Sequence, residues 1–201
     1  MTDRMAALAL VALLALSLGC APKVVRGGEG TGNPKVDQAA LSVGLDREDI
    51  NYLVKQNIDS LADSRFWQRE IQGGDRPTMA IWPIENRTTR HMEDELLTIL
   101  SSIETSLINT GEVRVVNRGR QEALIDEIGW EHNAAFDPRT VQQLGHQLGA
   151  KYYVTGRITS VDEKLSGTRR LQYSLFLQAL QVETGELLWQ NEVTRTKQIK
   201  R

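Results

Sequence analysis

The residue pattern predicts an α+β fold: a mixed, mostly antiparallel sheet of about five strands with helices packed mainly on one face. Three observations carry it. Stripes of apolar residues at helical spacing fill the first two thirds of the chain. One short run, Thr78–Ile84, is apolar on both sides. After Lys151 the rhythm changes to three strand-like segments joined by turns, the signature of an antiparallel meander.

Taken in order, Asp46 with Asp49 three residues on makes a capping-box-like helix start, after which Ile50, Leu53, Val54, Ile58 and Leu61 share one helical face. Thr78–Ile84 reads as a central strand, with Pro83 near its end because proline has no ladder donor. In MEDELLTILSSIETSLINTG, Leu96, Ile99, Leu100, Ile103 and Leu107 form the apolar stripe. Its acids crowd the first turn and Gly111 stands as the stop. EVRVVN is a short strand and RQEALIDEIGW a short helix; DPRTVQQLGHQLGA is a helix capped by Asp137, with Pro138 in its first turn. KYYVTGRITSV, RLQYSLFLQALQV and LLWQNEVTR are the closing strands. In the middle one, Leu171, Tyr173, Leu175, Leu177 and Ala179 take one face and Gln172, Ser174 and Gln178 the other.

The N-terminus sets the compartment. Met5 to Leu18 is an uncharged run of 14 residues, short of the roughly 17–25 that a spanning helix needs. A short charged start, an apolar stretch and small residues ahead of Gly19-Cys20 match a secretory signal. Its end resembles a bacterial lipobox, with Ser17 where leucine is usual. An ordinary signal leaving a free thiol is the other reading; a lone cysteine in an exported chain favours lipidation of Cys20. The chain then divides into a signal peptide (1–19), a lipid-anchored flexible linker (20–44) and a globular binding domain (45–201). Ala21, with no Asp after the cysteine, resembles the pattern of sorted lipoproteins, which implies the outer membrane and its periplasmic side. The linker is Gly-rich, and its roughly 24 residues reach at most about 80 Å.

Composition excludes several functions. The net charge is −2, which argues against nucleic acid as a partner, since that binding relies on many Lys and Arg contacts to phosphate. The single cysteine permits no internal disulfide. His91 and Glu95 have i, i+4 spacing, but His132 and His146 are isolated, and a metal needs three or four converging ligands. Glu93–Glu95 serves the helix dipole better than a glycosidase pair. No phosphate loop or nucleophile elbow is present. The chain is therefore read as a non-enzyme with no metal and no cofactor.

VDQAALSVGLDREDINYLVKQNIDSL, IWPIENRT, NTGEVRVVNRGR, QLGAKYYVTGRITS, LQALQVETGELLWQNE and KQIKR together resemble the LpoB family, over about Val36 to Arg201. ENRT and TGELLW are also similar to TolB N-terminal-like and curli-secretion lipoproteins. The resemblance implies a TolB N-terminal-like fold and an outer-membrane lipoprotein that binds and activates a class A penicillin-binding protein, a bifunctional peptidoglycan synthase. The alternative it leaves is a periplasmic secretion lipoprotein of the curli-assembly type.

Interfaces favour Trp, Tyr and Arg. Trp67, Trp82, Trp189, Tyr152, Tyr153 and Tyr173 fall where a core would claim them. Trp130 breaks the periodicity in a connecting loop, and Arg87 and Arg90 have no evident structural duty in Glu85–Met92. Arg87, Arg90 and Trp130 are therefore the expected partner contacts.

Overall fold

A computed structural model describes residues 40–128, 138–165 and 167–200, together with Lys35. The described fold lies in one compact unit, Ala40–Arg201. It opens with helix α1, Arg47–Ala62. The capping box forms as expected: Asp46 accepts the Asp49 amide at 3.0 Å, and the Asp49 carboxylate accepts the Asp46 amide at 3.2 Å. All five residues of its predicted stripe are buried. Leu45, just before the cap, joins Ile50 in the core, so an apolar staple fixes the angle at which the chain enters the helix.

A one-turn π-helix, Trp67–Ile71, follows; sequence periodicity does not announce it. The Gln72 amide donates to the Trp67 carbonyl at 2.8 Å, and the wider turn places both Trp67 and Ile71 in the core. Strand β1 is Thr78–Arg87, α2 is Glu93–Asn109, and the two-residue β2 is Arg114–Val115. Gly111 ends α2 in the left-handed region, at φ 73°. Helices α3 (Arg118–Ile128) and α4 (Pro138–Gln147) precede three long strands: β3 (Tyr152–Leu165), β4 (Thr168–Gln181) and β5 (Leu187–Lys200).

The sheet order is β2-β1-β3-β4-β5. β1 runs parallel to β2 and β3, whereas β3–β4 and β4–β5 are antiparallel. This is the expected mixed α+β sheet. One detail corrects the sequence reading: β1 does not end at Pro83 but continues to Arg87. Ile81 pairs with Val154 and Ile84 with Gly156, so Trp82 and Pro83 together oppose Thr155 in a β-bulge. The bulge accommodates the missing donor of proline. Nearby, the buried Gln121 of α3 donates to the Ile81 carbonyl at 3.1 Å, satisfying an oxygen beside the bulge.

Alternate residues of β1 and β3 enter two different cores. Met79, Ile81, Ile84, Tyr152 and Val154 belong to the large cluster beneath α1 and α2. Ala80, Trp82 and Tyr153 belong to a smaller one with Leu144, Leu148 and Val182. Because strand side chains alternate, the two clusters lie on opposite faces. The face under α1 and α2 is called inner below, and the other outer. β1 is thus buried on both sides over Met79–Trp82.

Candidate functional site

The loop expected to contact a partner begins as strand. Glu85, Asn86 and Arg87 are the last residues of β1, paired with Arg157, Ile158 and Thr159. The turn beyond them is closed by its own side chains. Asn86 Oδ1 accepts the Thr88 amide at 2.9 Å and the Thr88 hydroxyl at 2.8 Å, while Asn86 Nδ2 donates to the Arg90 carbonyl at 2.8 Å. The Arg90 amide donates to Thr88 Oγ1 at 3.1 Å. Such Asx- and hydroxyl-closed turns hold a short loop without a core.

This geometry separates the two arginines. Arg87 lies on the outer face by register, beside Thr159, which pairs with Ser174 and through it with Thr194. Its guanidinium is paired with Glu85 at 2.7 Å and is exposed. Arg90 turns the other way, so that a Cβ added to Gly44 would stand 3.5 Å from its Nη2. Beyond Arg87 the outer face of the long strands is a ladder of hydroxyls and amides. Gln172 donates to Thr196 at 3.0 Å and Ser174 bonds Thr194 at 2.7 Å. Arg157 lies over the ring of Phe176, 4.1 Å from its centroid. Trp130 and Cys20 lie outside the described residues, as does Asp137.

The aromatic residues assigned to the core are buried there: Trp67, Trp82, Trp189, Tyr152, Tyr153 and Tyr173. His91 pairs with Glu93 at 3.6 Å, both exposed, rather than with Glu95. Arg118, in the basic RVVNRGR stretch, is held by Glu104 at 2.6 Å and by Ser101 at 3.1 Å. Among the described residues no group of three or more His, Cys, Asp or Glu could hold a metal, and no helix is long and apolar enough to cross a membrane.

Sequence reading missed a second cluster, at the start of α1. Lys197 of β5, only 7% exposed, reaches Asp49 Oδ2 at 2.5 Å, Asp46 Oδ2 at 2.6 Å and the Gly44 carbonyl at 2.7 Å. Arg195 meets Asp49 at 3.2 Å and lies over the ring of Tyr52. Burial opposes ionisation of Asp46, but hydrogen bonds from Lys197 and the Asp49 amide outweigh it and hold the carboxyl below its usual range. Burial likewise disfavours the Lys197 charge, and the two aspartates overcome it, raising the ammonium above its ordinary value. The available signal was positional. Val193, Arg195 and Lys197 alternate onto the inner face, where an unpaired charge is unfavourable.

The elements above define a small α+β domain built on a five-stranded mixed sheet. The family described as peptidoglycan-synthase activator LpoB matches residues 49–194, and the chain belongs to that family, which is one of activators. The LpoB C-terminal domain from Salmonella enterica superposes with a TM-score of 0.53 at 15% identity, covering 73% of this chain and 98% of that one. The corresponding domain from Escherichia coli gives 0.50 at 15% identity, with the same coverage. The NMR structure of E. coli LpoB gives 0.50 at 14% identity, covering 91% of this chain and 84% of that one. At these identities the structural likeness speaks for the fold. No curated protein sequence matches the chain.

Proposed function

We propose that this chain is an outer-membrane lipoprotein, anchored through acylated Cys20, whose domain docks on a class A penicillin-binding protein and activates its peptidoglycan synthesis. The observation that carries the reading is the family match across residues 49–194, which spans nearly the whole folded unit. The lipid holds one end, the linker sets a reach of at most about 80 Å, and the partner must come within it. Activation requires the domain to bind the active state of the synthase more tightly than the inactive one; equal binding shifts nothing.

Arg87 is the contact that the geometry favours, because it stands exposed on the outer face beside the polar ladder, whereas Arg90 is turned toward Gly44. The test is a glycan-polymerisation assay with the purified synthase and full-length protein, alongside co-sedimentation of the two. Wild type is expected to raise the rate. Arg87→Ala is expected to weaken activation more than Arg90→Ala, with both variants folded. An unchanged polymerisation rate at saturating wild-type protein would sink the proposal.

A further inference from the structure

We propose that the Asp46–Asp49–Lys197 cluster is a releasable clasp that stores a short reserve of linker length. The inference rests on the reading of the N-terminal segment as a membrane tether. Any pull along that tether enters the domain where residues 40–46 meet the last strand. Ala40–Val43 and Arg195–Ile199 line a recess of about 260 Å³ there. Lys197 grips the Gly44 carbonyl and both aspartates, so it joins the incoming chain to β5 at one point.

Two features make this point yield before the rest. First, an ionic cluster gains little net stability once desolvation is counted, and the Asp46 side chain is 38% exposed, so water can replace its partner as soon as the contact opens. Second, the next part of the chain is held far more firmly. Leu53, Val54, Ile58 and Leu61 are buried in the main core, and the buried Asn57 bridges the Leu53 and Leu175 carbonyls and accepts from Asn191. Peeling therefore halts within the first turn of α1. Val43 and Leu45 are the only core residues among 40–46, and their reburial provides the force that closes the clasp again. Residues 40–44 are the docked end of the linker, so with the clasp closed the tether falls short of its full reach, and release of these seven residues restores at most about 25 Å.

Magnetic-tweezer extension of the full-length, unacylated chain tests this. The attachments are Cys20, the only cysteine, and a tag inserted at Gly185 in the exposed β4–β5 turn. Wild type should show a reversible step of at most about 25 Å below the force of global unfolding, and Lys197→Met should move that step to lower force. Should Lys197→Met fail to fold, Asp46→Asn, which keeps a capping side chain, serves in its place. A single all-or-none unfolding event overturns the proposal, as does a first step whose force the variant leaves unchanged. Neither synthase nor membrane takes part, so such a failure leaves the activator reading standing.

Discussion

The two faces of the sheet are built on different scales. On the inner face, α1, α2, the π-turn and every long strand contribute to one continuous core. On the outer face, the buried apolar cluster among the described residues sits at the β1–β3 end, where Trp82, Leu144, Leu148 and Tyr153 gather. Further along β3–β5 that face changes to threonine, serine, glutamine and arginine. Stability is thus concentrated on one side, and the other is left with hydrogen-bonding groups that no core needs. With this division, residues on the polar part of the outer face can change without disturbing the packing beneath.

The contrast can be broken most sharply at Trp82, which is 1% exposed and is the bulkiest member of the small cluster. Trp82→Ala is expected to destabilise the domain by about 3–5 kcal/mol, comparable to the roughly 2–5 kcal/mol of Leu53→Ala on the inner face. Urea unfolding would measure both. A loss below about 1 kcal/mol at Trp82 would show that the outer cluster is not a second core. A finer probe is Gly145 of α4, where a Cβ would stand 2.6 Å from Val182 Cγ1. Gly145→Ala should cost about 1–3 kcal/mol through overpacking; a neutral result would mean that α4 shifts freely on the sheet.

The smallest effect expected is the pH dependence of the inner-face clasp. The Asp46 pKa is lowered by folding, so its stabilisation is present above the unfolded carboxylate value of about 3.9 and is lost as pH falls through the lower, folded one. The Lys197 pKa is raised. Its contribution is complete below the unfolded value of about 10.4 and is lost as pH rises through the higher, folded one. Urea midpoints of Lys197→Met should therefore vary less than those of wild type at both extremes; parallel curves would show that the cluster is not linked to folding.

Much of the fold was legible because it is written locally. The capping box at Asp46, the stripe from Leu96 to Leu107 and the alternation of Leu171–Ala179 each depend on residues a few positions apart. What escaped depends on distant partners. The bulge at Trp82–Pro83 is defined by pairing with β3, and the Lys197 cluster joins residues about 150 positions apart, as Lys197–Asp46 does. The candidate site was legible only in part. Arg87 and Arg90 sit in one short stretch of sequence, yet the strand runs on through Arg87 and the turn sends Arg90 to the other side.

The extra residue in β1 also resets the phase of the strand. Counted from Ile81, simple alternation would bring Glu85 and Arg87 under α2 and push Ile84 outward. With Trp82 and Pro83 sharing one partner, Ile84 returns to the core and both charges face out. A single inserted position thus converts what would be buried charge into displayed charge. Deleting Pro83 would remove the extra residue and leave Ile84 inward and both charges outward, whereas keeping all residues and straightening the bulge would invert the strand tip.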